Sequence, residues 1–207
     1  MKTIATLAAA SLTAMASANV YNGVGGALND NNVNAGVTTF NINVADAGAL
    51  NSIAVTLTGL NHTWVGDLAA EVTHNAVTVS LFFRIGYTGS GFGDSSNFNG
   101  NYTFKDAGPY GPNATGSLWH EATLGDSTYN LRSGSYYASG GNPGNQTFLS
   151  LFNGTDVNGT WTIKFTDFAT PDAGSLTSWS LDLGFVPSPG AMALLGVAGL
   201  CGRRRRA

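Results

Sequence analysis

This 207-residue sequence predicts an all-β fold, a jelly-roll β-sandwich of about eight antiparallel strands, on three observations. Apolar and polar residues alternate in several short runs, the signature of half-buried strands. Clusters of Gly, Asn and Asp separate those runs, as turns between strands require. Only 10% of the residues are charged and 28 are glycine, and no stretch keeps a 3.6-residue period, so helices are not expected to carry the fold.

Taken in order, the chain opens on a segment that reads as a secretory signal over 1–18. Lys2 supplies a small positive region, Ile4 to Ala10 is apolar, and Ala16-Ser17-Ala18 fits the small-residue cleavage rule, so the mature chain is expected to start at Asn19. The domain is expected over 19–185. Phe40, Ile42 and Val44 alternate with polar residues, as do Ile53, Val55 and Leu57. Further strands are expected at Leu68 to Thr73, Val77 to Arg84, Asn101 to Phe104, Thr147 to Phe152, Thr160 to Phe165 and Leu176 to Leu183. Between them, Gly108 to Gly144 is rich in Gly, Pro, Tyr and Asn and is expected to be a long surface excursion.

Residues 186–207 form a tail of three parts: Val186-Pro187-Ser188-Pro189, an apolar run beginning at Gly190, and the cluster Arg203 to Arg206. The run from Gly190 to Gly202 is thirteen residues, short of the roughly 20 that cross a bilayer comfortably. A transient membrane association, with the arginines on the cytoplasmic side, is expected rather than a permanent span. Without the two ends, four basic residues (Arg84, Lys105, Arg132, Lys164) face twelve acidic ones, a difference of −8. Such a surface disfavours nucleic acid and suits divalent cations. The one cysteine, Cys201, lies in the tail, so the domain must be held by its core, without a disulfide.

Three stretches carry a resemblance. Asn61-His62-Thr63-Trp64-Val65-Gly66-Asp67-Leu68 resembles the HTWxGDL signature that opens the P domain (P/Homo B domain) of subtilisin-like proprotein convertases. Gly91 to Phe98 resembles that family's Gly-Asp-Asn loop, with Phe104-Lys105-Asp106 in place of its usual Phe-Asp-Asp. Leu151 to Gly154, Gly159 to Thr162 and Asp172 to Leu181 resemble its closing half. The resemblance implies a β-sandwich whose usual role is to stabilise or regulate an adjoining protease domain. The tail in turn resembles the PEP-CTERM sorting signal of bacterial exopolysaccharide producers, with Ser188 where Glu is usual, and this implies an exosortase-like processing enzyme as partner.

Candidate chemistry is sparse. His62, His74 and His120 show no zinc-binding spacing, and neither a nucleophile elbow nor the subtilisin Asp, His and Ser motifs occur, so no enzyme activity is expected. A glycosidase needs two carboxylates in one cleft, and the only glutamates are Glu71, expected to face outward on a strand, and Glu121, which follows Trp119 and His120 in the excursion. Trp64, Trp161 and Trp179 read as core, and Gly66, Gly159 and Gly174 as turn positions needing positive φ. Loop carboxylates suit Ca²⁺, which takes six to eight oxygens. Asp67, Asp94, Asn97, Asp106, Asp167 and Asp172 are the candidate ligands of a structural Ca²⁺, and the resemblance implies calcium at the positions of Asp67, Asp94 and Asp172. If none binds metal, these side chains form Asx-turns. Trp119, Tyr110, Tyr136 and Tyr137 are a candidate aromatic platform for sugar, or else pack the excursion down.

The expected function is that of a non-catalytic binding or structural protein, secreted or held in the cell envelope, with a protein or polysaccharide ligand that the sequence does not name. Two alternatives are an accessory module for a separately encoded subtilisin-like serine endopeptidase and a carbohydrate-binding jelly roll.

Overall fold

The computed structural model describes residues 15–108, 116–122, 125–141 and 144–188. Most of the expected leader and all of the tail from Pro189 lie outside the described residues, as does Tyr110.

Eight long strands build the sandwich: β1 (Ser17–Leu28), β2 (Val37–Val44), β3 (Gly48–His62), β4 (Leu68–His74), β5 (Val77–Phe83), β6 (Asn97–Lys105), β11 (Gly159–Asp167) and β12 (Gly174–Pro187). One sheet runs β1-β12-β3-β6 and the other β2-β11-β4-β5, with every pair among these eight antiparallel. Numbered as a set of eight, the orders are first-last-third-sixth and second-seventh-fourth-fifth, which is the jelly roll.

Four shorter strands come from the excursion and its exit: β7 (Asn130–Leu131), β8 (Gly134–Tyr136), β9 (Ser139–Gly140) and β10 (Asn145–Gln146). β7 and β8 pair with β6 in parallel, so the excursion extends the first sheet instead of lying loosely on its surface. Leu118, Leu131, Tyr136 and Ala138 are buried there. A single helical turn, α1 (Leu118–Glu121), is capped by the Ser117 hydroxyl.

The core lies between the sheets. Trp161 and Trp179 are fully buried, as expected, and the Trp161 indole stacks on the His74 ring at 4.0 Å and 4°. Phe82, Phe98 and Phe104 pack from facing strands, with centroids 4.9 and 6.0 Å from Phe82. In small jelly rolls without disulfides, such aromatic burial supplies most of the favourable term.

Two expectations are corrected. Thr147 to Phe152 is not a strand: Leu149–Phe152 forms a 3₁₀ turn because the Asp106 carboxylate accepts the Leu149 and Ser150 amides at 2.8 and 2.7 Å. Those amides therefore have no need of a ladder partner. Of the three turn glycines, only Gly159 has positive φ, at 116°. Gly66 and Gly174 are needed for close approach: a Cβ on Gly66 would meet the backbone of Phe92, Gly93 and Asp94, and one on Gly174 the His62 ring and the Asn61 carbonyl.

Candidate functional site

The HTWxGDL-like segment closes one end of the sandwich. After β3 the chain turns at Trp64, a non-glycine residue in the left-handed region (φ 62°, ψ 78°), and makes a 3₁₀ turn over Val65–Asp67 before entering β4. The segment 84–96 is laced onto this turn. Val65 donates to the Ser96 carbonyl at 2.7 Å and Gly66 to the Asp94 carbonyl at 2.9 Å. The Trp64 indole N–H donates to the Phe92 carbonyl at 3.0 Å. The loop after β11 is tied to the same turn, Phe168 donating to the Asp67 carbonyl at 2.9 Å. Glycine at position 66 is what lets the 92–94 backbone come this near.

These ties bring together Asp67, Asp167 and Asp172, three of the six candidate ligands. Trp64, Asp67, Phe92, Ala169, Thr170, Pro171 and Asp172 line a cleft of about 210 Å³. Asp67 is 2% exposed, and its Oδ1 has no hydrogen-bond partner, with the Arg84 guanidinium 3.8 Å away. Burial, and after it the neighbouring Asp172 charge, raise the Asp67 carboxyl from its ordinary 3.8 to about 6, while Arg84 draws it down by less. Arg84 is itself held in place: it donates to the Gly66 carbonyl at 3.0 Å and lies over the rings of Tyr87 and Phe168 at 3.8 and 4.9 Å. Asp167 accepts from His62 Nε2 at 3.1 Å and from the Ala169 amide at 3.1 Å, and Asp172 accepts from the Thr63 hydroxyl at 2.5 Å.

The other three candidates stand apart in role. Asp94 accepts the Ser96 amide at 2.8 Å, an Asx-turn, and leaves its Oδ2 buried without a hydrogen-bond partner. Asn97 accepts from the Trp64 amide at 3.3 Å and donates to the Ser127 carbonyl at 2.7 Å. Asp106 caps the 149–152 turn. Among the described residues no three His, Cys, Asp or Glu side chains converge closely enough to hold a metal by themselves. Asp67, with its unpartnered oxygen, and the neighbouring Asp172 are the two carboxylates at this cleft that a cation could use.

The remaining sequence candidates are engaged. Both His74 ring nitrogens lie at carbonyl oxygens, those of Thr160 at 3.0 Å and Asp156 at 2.7 Å. His120 Nδ1 meets the Ser117 hydroxyl at 2.8 Å in the cap of α1. Glu71 pairs with Lys164 at 2.6 Å. Glu121, which the sequence marked only by type, is buried and accepts from Arg132 and from the Tyr129 hydroxyl. Burial alone would raise its carboxyl; the Arg132 and Tyr129 hydrogen bonds outweigh that and hold it below the usual range. The aromatic platform does not form from its described members. Tyr136 is fully buried, Trp119 packs where Gly144 has no side chain, and Tyr137 does so at Gly116.

Sequence reasoning missed Arg84 and His62 as partners of the acidic cluster. Nothing local links them to Asp67 and Asp167; Arg84 arrives through the pairing of β5 with β4, and His62 reaches Asp167 from β3 of one sheet to β11 of the other.

Comparison with known proteins falls on the second half of this arrangement. Residues 124–183 match the family model of the proprotein convertase P-domain. That span runs from the second half of the excursion through β11 and most of β12, and so includes Asp167 and Asp172. No curated protein sequence gives a significant match. Among solved structures, the complex of Aeromonas sobria serine protease with its chaperone aligns at 18% identity and a TM-score of 0.44, over 86% of this chain and 28% of that one. The serine protease of Aeromonas sobria aligns at 16% identity and a TM-score of 0.42, over 84% of this chain and 28% of that one. In both cases the alignment covers little more than a quarter of the other chain.

Proposed function

We propose that this chain is an exported, non-catalytic P-domain-like module that acts as a binding or structural protein at the cell envelope or in the extracellular matrix. The observation that carries the reading is the P-domain match over 124–183, within a jelly roll whose 61–68 segment bears the opening signature of the same family. Export rests on the two ends of the sequence, the 1–18 leader and the tail from Val186 with its Arg cluster, which an exosortase-like enzyme would process. Fractionation of a producing cell tests this: the protein is expected in the envelope or medium, and recovery in the cytoplasm with its leader intact overturns it.

A second reading is that the module serves a separately encoded subtilisin-like protease. The same family match favours it, because P domains accompany such proteases. Capture on the tagged module from the native secretome separates the two, since enrichment of a subtilisin-like protease supports the second and an envelope polymer or other protein supports the first.

A structural Ca²⁺ belongs to this proposal, placed at Asp67 and Asp172. The support is the buried, unpartnered Asp67 oxygen beside a second carboxylate in a chain of acidic balance. Melting in EDTA and in millimolar calcium tests it.

A further inference from the structure

An edge strand presents a row of backbone donors and acceptors, and proteins commonly blunt such rows with charges, proline or a covering segment. Both sheets follow this rule at one side. β6 is covered by β7 and β8, and β5 by the 139–147 segment through Ser80 to Ser139 at 2.9 Å and Thr147 to Ser80 at 2.6 Å. At the other side β1 breaks it. Its only ladder partner is β12, and among the described residues its backbone makes no hydrogen bond to anything else. From Ser17 to Asn29 there is no charge and no proline, in a chain whose domain is otherwise strongly acidic.

The side chains of β1 are arranged in an unusual way. The residues facing solvent include Val20, 59% exposed, and Val24, 80% exposed, while Gly23 and Gly25 face β12 and the core. Two copies of such a strand can pair antiparallel only about a residue, because a centre between residues would oppose side chains of opposite faces. A centre at Asn22 places Val20 of one copy beside Val24 of the other, Asn22 beside Asn22, and the Tyr21 ring beside Gly23. Each is a favourable cross-strand pair, and an aromatic ring over an edge glycine restores the packing the glycine lacks. A centre at Tyr21 sets Val20 against Asn22 and Asn19 against Gly23. A centre at Gly23 sets Val20 against Gly26 and Val24 against Asn22. Only the Asn22 register matches apolar with apolar and amide with amide.

We propose that the free edge of β1 is a self-association surface, pairing antiparallel with β1 of a second copy of this chain about a two-fold axis at Asn22. The pairing is isologous, so it closes at a dimer and joins the two first sheets into one continuous sheet. It does not depend on the P-domain reading or on calcium.

Light scattering and sedimentation of the protein as the cell produces it should give twice the monomer mass, falling to the monomer on dilution. Val24→Lys places a charge on an exposed edge position, and should give a monomer that melts as the wild-type protein does when diluted to its monomer. In a Cys201→Ser background, Asn22→Cys should cross-link to a dimer on mild oxidation, Val20→Cys should not, and the double variant Val20→Cys/Val24→Cys should. A wild-type protein that stays monomeric at every concentration overturns the proposal. So does a dimer indifferent to Val24→Lys, or cross-linking by Val20→Cys in preference to Asn22→Cys.

Discussion

Asp67→Asn is the sharpest probe of the loop cluster. Asp67 is buried beside Asp172, and its carboxyl is raised from 3.8 to about 6. The folded protein therefore holds this proton more tightly than the unfolded chain does. The sign follows: stability from this group is fully present below the unfolded value and is lost as pH rises through about 6. A displacement of about two pKa units corresponds to roughly 3 kcal/mol at 1.36 kcal/mol per unit. Asparagine keeps the shape and stays neutral, and the loss of the Arg84 attraction at 3.8 Å is already contained in that net displacement. At pH 7.5 the variant should therefore be more stable than wild type by roughly 3 kcal/mol, a rise of about 6 to 12 °C in melting temperature for a domain of this size.

The assay is thermal melting by circular dichroism from about pH 3 to 8 in EDTA, for wild type and variant. Wild type should lose stability relative to Asp67→Asn across pH 4 to 6.5, and the two curves should converge at the acid end. Taking the difference between the two proteins cancels other groups that titrate in this interval, provided they are unaffected by the substitution. Calcium at Asp67 and Asp172 should flatten the wild-type loss, because a bound cation favours the ionised form. Parallel curves, or a variant less stable at pH 7.5 than at pH 5 by the same amount as wild type, refute the argument.

Calcium at one hundred times its Kd should stabilise the wild type by about 2.7 kcal/mol, magnesium by less, and Asp172→Ala should abolish the increment; superimposable melting curves in EDTA and calcium eliminate the site. Asp94→Ala should destabilise the metal-free protein by about 1 kcal/mol, because Asp94 accepts the Ser96 amide, and an unchanged melting curve would show that this turn carries no stability. Glu121→Gln should destabilise by about 1 to 3 kcal/mol above pH 5 and converge with wild type in acid, where the Arg132 pairing is lost in both; chemical denaturation against pH reads it. Intact mass of the exported protein should begin at Asn19 and end near Pro187 to Pro189, and a secreted form ending at Ala207 rules out removal of the tail.

Seven of the eight long strands were legible because their apolar residues alternate toward the core, from Phe40 to Val44 through Leu176 to Leu183. β1 was not, and its alternation runs the other way. Its core-facing positions include Gly23, where a Cβ would meet Trp179 and Ile42, so the large side chains that fill this part of the core belong to neighbouring strands. The valines that a pattern search would assign to the core face solvent. β1 also begins at Ser17, just before the expected cleavage point after Ala18, so cleavage there would leave Asn19–Leu28 still paired with β12.

The candidate site was legible in part for a related reason. Turn chemistry marks Asp67, Asp94 and Asp172 in sequence, but which carboxylate ends up buried and unpartnered depends on contacts that no local pattern encodes. Asp106 satisfies two distant amides, and Asp94 satisfies the Ser96 amide through one oxygen while its other oxygen stays buried without a partner. Asp67 meets no amide, because the 3₁₀ turn at Val65–Asp67 directs its side chain inward while its backbone holds Phe168. The loop thereby leaves one acceptor without a donor in the interior, a cost of about 1 to 3 kcal/mol that a proton, or a bound cation, removes. That the same turn is held by Gly66 against the backbone of 92–94 gives a separate check. Gly66→Ala should displace the 92–94 segment and destabilise by several kcal/mol, since backbone, unlike a flexible side chain, has nowhere to yield. If Gly66→Ala melts as wild type does, the close approach that shapes the cleft is not what holds this end of the sandwich together.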